Sequence, residues 1–419
     1  MRRHLTSLRA LAWKVGFPIF RISLGVVAGC LLLLIVSGWH RILWVPSPER
    51  AFAGSVAPGT FEVRGGLPVL VLEGTPEEIG RRHGERLGGQ IRESLRPFLE
   101  QHYEDRLDEA LAFARRLDPD VPEDLRVEMR ALARAAGVAY DDLLLANCTA
   151  DLAAAGFLCS VLVAAGEATG GGPLVIGRNL DFPGYGILDG YSLLFVYRPH
   201  GKRAFAAVGF PGLVGVLTGM NEKGVCVADL VALGIPAGER GLPHILHQRR
   251  ILEESDTAAD PVQAAARGEF AAGQTVVVAD PTDAFALELS PRSFGRRGLE
   301  RGVLLATNTF GGGGCPRFAR LAELAALAHG RLTVDAVRAA LTATSLDWMN
   351  LHAIVLVPAD RTLYLARGRT LARASDAPYV RVALAAAFAP GAGPRAVAVE
   401  PVPAVAEPPR RFDEPKPPE

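Results

Sequence analysis

The spacing of apolar positions divides this chain into stretches of different period. Ile22 to Trp39 is uncharged and mostly apolar over 18 residues, long enough to span a bilayer as a helix. Residues 40–60 carry Pro and Gly without periodicity and read as a linker. A short strand is expected over Phe61 to Glu73. Thr75-Pro76-Glu77-Glu78 then forms a helix start, with Thr75 as cap, Pro76 in the first turn and Glu78 returning a bond to the cap. Helical periodicity, with Leu87, Ile91, Leu95 and Phe98 on one face, continues to about Leu145.

At Cys159 the pattern changes. Short apolar runs alternate with tight turns: CSVLVAAGEA, PLVIGRNLDF, SLLFVYRP, AFAAVGF, LVGVLTG and VCVADLVAL. This predicts antiparallel hairpins. A helical patch over 244–270 follows, then strands at QTVVVAD, AFALELS and VLLATN. Two helices are expected, over 316–328 and 334–343, and a last hairpin ends near residue 368. Strand blocks interleaved with helix blocks imply two sheets with helices on their outer faces. The chain thus divides into a basic N-terminus (1–21), an anchor (22–39), a linker (40–60), a mostly helical part (61–158), a strand-rich part (159–388) and a Pro-rich tail (389–419) expected to be disordered.

Composition narrows the function. Lys plus Arg and Asp plus Glu are both 45, so nothing suggests a nucleic-acid partner. Five cysteines in 419 residues make no disulfide framework, and no ligand cluster of metal-binding spacing occurs. Neither metal nor cofactor is expected. Arg2, Arg3, Arg9, Lys14 and Arg21 precede the 22–39 stretch, which puts the N-terminus in the cytoplasm and the rest outside it. A cleaved signal peptide, a lipid anchor at Cys30 and a core helix are the other readings of that stretch.

Cys159 stands at the first residue of the strand-rich half. A buried core cysteine is the ordinary fate of a free thiol. A nucleophile at the head of a sheet can instead use its own α-amino group as base, with an unperturbed pKa near about 8. That amine exists only once the Leu158–Cys159 bond is broken, and the same thiol can attack the preceding carbonyl. In Gly177-Arg178-Asn179-Leu180-Asp181, Arg178 and Leu180 share one strand face, Asn179 and Asp181 the other. An Arg and an Asp there can polarise the thiol and orient the amine; the other reading is a salt bridge at a strand end.

Together these segments resemble the penicillin acyl-CoA acyltransferase-like family of N-terminal-nucleophile hydrolases, related to choloylglycine hydrolases and acid ceramidase. The nucleophile hairpin, Gly74-Thr75-Pro76-Glu77-Glu78-Ile79-Gly80 with His83-Gly84, Gly219-Met220-Asn221-Glu222-Lys223-Gly224, Ala306-Thr307-Asn308 and Leu351-His352 fall in the family's order across roughly 60–370. The resemblance implies an αββα sandwich, two stacked antiparallel sheets between helical layers. It implies Cys159 as nucleophile, Arg178 and Asp181 as its polarising and orienting partners, and Asn308 as an amide donor to the oxyanion, typically worth about 3 kcal/mol. Asn179 and Asn221 are expected to hold turns, His83 and His352 to pack or cap, and Cys148, Cys226 and Cys315 to be structural. Leu158 stands where the fungal pattern has glycine, Val161 replaces a hydroxyl residue, and Thr309 stands where histidine is usual.

The implied reaction is acyl transfer from a linear amide through a thioester on Cys159, with a small acyl-amide or peptide-like substrate and two self-cleavage fragments that stay together. An uncut Cys159–His352 hydrolase and a non-catalytic membrane-tethered binding protein are the alternatives.

Overall fold

The computed structural model describes residues 48–53, 60–152, 158–266, 268–369 and 372–403. The 22–39 stretch lies outside these; among the described residues no helix is long and apolar enough to cross a membrane.

A helical turn, Pro48–Ala51, leads to Phe52, which is fully buried against Phe61 and Tyr191, so part of the expected linker is packed. The single strand expected over 61–73 is a hairpin, β1 (Phe61–Arg64) and β2 (Leu67–Gly74). Gly65 and Gly66 both take positive φ at its turn and break the run. Four helices follow: α1 (Pro76–Tyr103), α2 (Leu107–Leu117), α3 (Glu123–Ala136) and α4 (Tyr140–Leu152). The start of α1 is the capping box expected from Thr75 and Glu78.

Gly80 and Gly84 lie one turn apart where α1 crosses α3. A Cβ at Gly80 would sit 2.0 Å from the Glu128 carbonyl oxygen, and one at Gly84 2.6 Å from Ala135 Cβ. The G-x-x-H-G segment is therefore a close-packing surface, and its His83 accepts a bond at Nε2 from Gly212 N.

The strand-rich part begins with β3 (Leu158–Ala164), β4 (Val175–Asp181), β5 (Leu193–Pro199), β6 (Phe205–Gly209), β7 (Thr218–Asn221) and β8 (Cys226–Val231). Next come α5 (His244–Glu254), α6 (Ala259–Ala265), β9 (Gln274–Ala279), β10 (Ala284–Ser290), β11 (Ser293–Gly298) and β12 (Val303–Thr307). The last elements are α7 (Pro316–Leu327), α8 (Val334–Thr344), β13 (Asn350–Val357), β14 (Thr362–Arg367), β15 (Val380–Ala383) and β16 (Ala398–Pro401).

They build two sheets, one ordered β1-β2-β5-β6-β7-β8-β9-β10-β11 and the other β12-β3-β4-β13-β14-β15-β16. Helices α7 and α8 cover the outer face of the second sheet through a separate apolar cluster that includes Leu162, Leu321, Val337 and Val355. The main core, including Val161, Leu180, Ile354 and Leu194, lies on the opposite side. This is the expected αββα layering with two corrections.

First, the larger sheet is not wholly antiparallel. Strand β2 pairs parallel with β5, Val69 opposite Leu194 through Gly74 opposite Pro199. Such a pairing needs a long crossover, here the whole of α1–α4 and the β3–β4 hairpin. Second, order continues beyond 388. Strand β16 pairs with β15 and Val397 is buried, so residues 389–403 are ordered against the expectation; the rest of the expected tail lies outside the described residues. Arg198 fixes this stretch by donating to the carbonyls of Ala387 and Ala392 while bonding Glu73 of β2.

Candidate active site

Cys159 is the second residue of β3, pairs with Leu180 of β4, and is 1% exposed. Leu180 pairs in turn with His352 of β13. Paired residues on neighbouring strands share a face, so the row Cys159, Leu180, His352 places the imidazole two strands from the thiol, about 10 Å at backbone level. His352 Nε2 instead lies 2.8 Å from Ser192 Oγ, and its ring stacks on Phe210. A Cys159–His352 pair is not formed.

Arg178 reaches the thiol. Its Nη2 lies 3.4 Å from Cys159 Sγ and donates to the Asp229 carbonyl oxygen at 3.1 Å, while Nη1 donates to Thr218 Oγ1. A fully buried guanidinium in contact with sulfur favours the thiolate. Burial works against it and pushes the Cys159 thiol up to about 11; Arg178 opposes that rise, and the nearby Asp229 and Asp181 add to it.

Asp181 ends β4 opposite Leu158, at the bond expected to break. Its Oδ1 accepts from Asn350 Nδ2 at 2.8 Å and from Leu346 N at 3.2 Å; Oδ2 is buried with no hydrogen-bond partner among the described residues. Burial raises this carboxyl to about 6, partly offset by those two bonds and by Arg317 and Arg178.

Asn308 follows β12 beside Cys159, but with its amide turned differently from the expectation. Its Oδ1 accepts the Cys159 backbone N–H at 2.6 Å, and its Nδ2 donates to the Val231 carbonyl oxygen at 2.7 Å. The side chain thus grips the nitrogen that would become the free amine. Asn221 holds its turn as expected, accepting from Lys223 N and Val225 N. Asn179 does not hold a turn: from mid-β4 it donates to the Leu341 carbonyl of α8.

One residue was missed. Arg317, in the first turn of α7, donates to the Cys159 carbonyl oxygen at 2.8 Å and to Asn308 Oδ1 at 3.0 Å, and lies 3.5 Å from Asp181 Oδ2. It joins three of the four expected residues. The sequence carried one signal: a cation in the first turn of a helix opposes the macrodipole and needs another reason to be there.

Beyond Asp181 a small apolar cavity, with about 60 Å³ of room for the centres of water-sized spheres, is lined by Leu95 and Phe98 of α1, Ala146 and Thr149 of α4, and Phe182, Phe210, Leu217 and Ile245. Leu217 precedes the Thr218 that holds Arg178, and Phe182 follows Asp181. The walls come from both sides of the Leu158–Cys159 bond.

Residues 168–345 match the family model "Acyl-coenzyme A:6-aminopenicillanic acid acyl-transferase". The span is less than half of the chain and starts after Cys159, but includes Arg178, Asp181, Asn308 and Arg317. An uncharacterized protein of Archaeoglobus fulgidus is 25% identical over 266 residues, covering 56% of this chain and 43% of that protein. Protein dcd1B of Dictyostelium discoideum is 26% identical over 237 residues, 49% of this chain and 47% of that one. The chain thus spans less than half the length of the curated relatives it matches. Among solved structures, the Caenorhabditis elegans N-acylethanolamine-hydrolyzing acid amidase ortholog aligns at 19% identity and TM-score 0.41, covering 48% of this chain and 93% of that one. A mutant of conjugated bile acid hydrolase from Clostridium perfringens aligns at 13% and 0.34, covering 49% and 89%. Residues 168–345, the segment that carries all but the thiol of this site, are thus similar to the acyl-coenzyme A:6-aminopenicillanic acid acyl-transferase family.

Proposed function

We propose that this chain is a cysteine N-terminal-nucleophile enzyme. It cuts itself between Leu158 and Cys159, then takes an acyl group from a linear amide as a thioester on Cys159. In the first step Sγ adds to the Leu158 carbonyl, the C–N bond breaks, and the nitrogen leaves as the α-amine of Cys159 carrying the former thiol proton. Water then hydrolyses the thioester, leaving a Leu158 carboxylate and a free thiol. In turnover that amine takes the thiol proton and returns it to the departing amine of the substrate. Arg178 favours the sulfur anion, while Asp181 and Asn308 orient the amine.

The observation that carries this reading is the joint grip on Cys159: Sγ 3.4 Å from Arg178 Nη2, and the backbone N–H 2.6 Å from Asn308 Oδ1. A core cysteine requires neither contact. The apolar cavity beyond Asp181 suits a hydrophobic acyl group, and the family match supports acyl chemistry. Water is the favoured acceptor. With residues 22–39 as a membrane anchor and the rest extracytoplasmic, acyl-CoA would be absent from the site's compartment.

The test is intact mass and a denaturing gel on the full chain beside Cys159→Ala. The proposal expects two fragments with a new amino-terminal Cys159, and an intact mutant. An intact wild type that nevertheless hydrolyses N-acyl amides would remove the amine base, and an intact wild type without activity would leave the tethered binding protein.

A further inference from the structure

Asp229 is the acidic group of this site that neither the motifs nor the proposed chemistry uses. It lies in β8, 1% exposed, with its backbone N–H bonded to Leu217 O of the segment entering β7 and Val276 of β9 opposite. Its carbonyl oxygen receives the same Nη2 nitrogen of Arg178 that touches Cys159 Sγ. Its side chain meets α5, where Gln248 Nε2 lies 2.5 Å from Oδ1. Asp229 Oδ2 and Gln248 Oε1 are both buried with no hydrogen-bond partner among the described residues, as is Arg178 Nε.

A buried carboxyl with one oxygen unpartnered needs either a proton or a counter-ion. The charged and titratable groups around it are Arg178 from β4, Cys159 from β3 and Asp151 from the end of α4, and the facing helix α5 carries His244 four residues before Gln248. Arg178 is the one cation of that set, because burial keeps His244 neutral with a pKa lowered to about 3. Burial also raises Asp229 to about 6, with Arg178 the leading opposing influence. The guanidinium therefore has two claimants, the sulfur it touches and the carboxyl of Asp229, the residue whose backbone carbonyl it also touches.

We infer that Asp229 is a positioning residue for the nucleophile: its carbonyl aims the Arg178 guanidinium, and its carboxyl draws on the same positive charge and so restrains ionisation of the Cys159 thiol. The inference rests on the reading of Cys159 as nucleophile, but not on whether the chain is cut. A charged carboxyl raises the pH at which the thiol ionises; removing that charge leaves Arg178 to the sulfur alone.

The experiment follows modification of Cys159 by methyl methanethiosulfonate across pH, read by mass on the Cys159 peptide, in wild type, Asp229→Asn and Asp229→Ser. The midpoint is expected to fall by about one pH unit in both variants, roughly a tenfold faster reaction at a fixed pH below it. Arg178→Met, which removes the shared cation, should move it the other way. Folded Asp229 variants whose midpoint stays at the wild-type value would overturn the inference. Loss of self-cleavage with the shift intact would instead count against the proposed function alone.

Discussion

Around Cys159 the charges are few and buried, so their protonation feeds directly into stability. Asp181 is held near 6, above the ordinary carboxylate value, because burial outweighs its bonds to Leu346 and Asn350. A carboxyl whose folded pKa is raised contributes most below its unfolded pKa of about 4, and that contribution is lost as pH rises through 6. Asp181→Asn has no charge to bury. Its melting temperature relative to wild type should therefore rise between pH 4 and pH 7, by an amount equivalent to no more than about 3 kcal/mol. Thermal unfolding at the two pH values checks this, and a flat difference would mean the carboxyl is not penalised. Cys159, Arg178, Asp181 and Asn308 were legible because each sits in a short motif. Arg317 was not, since the Gly311–Gly314 turn separates it from Asn308 and no spacing rule links the two. The orientation of the Asn308 amide was hidden for another reason: its acceptor, Val231 O, belongs to a strand of the other sheet.

At the scale of elements, local patterns foretold helices and hairpins but not which strands lie side by side. The start of α1, the limits of α7 and α8, and the β13–β14 hairpin follow from caps, periodicity and turns close in sequence. The β2–β5 pairing joins segments more than a hundred residues apart, and the alternation in either strand is silent about its neighbour. The α1–α3 contact is a middle case, since Gly80 and Gly84 were visible as a motif without their purpose. A methyl group at Gly84 would meet Ala135 Cβ at 2.6 Å and the Leu132 carbonyl oxygen at 2.8 Å. Two backbones would have to separate, so Gly84→Ala should cost about 1–3 kcal/mol, as overpacking does, despite the better helix propensity of alanine. Urea unfolding measures it, and a gain in stability would show that the crossing is slack.

Across the whole molecule, the part before Cys159 is built into the part after it. Arg249 of α5 donates to both carboxylate oxygens of Glu128 on α3, at 2.8 and 2.6 Å, and to Glu253, with its guanidinium over the Tyr197 ring. All three charged groups are buried. Arg249→Met would strand the buried Glu128 carboxylate, while Glu253 keeps Lys202 and Arg250, a loss of roughly 3–5 kcal/mol for a broken buried pair. In a chain cut before Cys159, the same variant should shed its upstream fragment at a lower urea concentration than wild type. Size-exclusion chromatography in graded urea reads that directly, and co-elution at the same concentration as wild type would place the hold elsewhere.

Strand β2 adds a consequence for the life of the molecule. In the uncut chain its partner β5 is tethered to it, so unfolding and refolding are first-order events, indifferent to dilution. Once the Leu158–Cys159 bond is gone, β2 and the helices behind it return only by collision, and recovery becomes second-order in protein. The cut would then act as a ratchet: a molecule that folded once would keep its shape, while one fully unfolded afterwards would recover more slowly the more dilute it is.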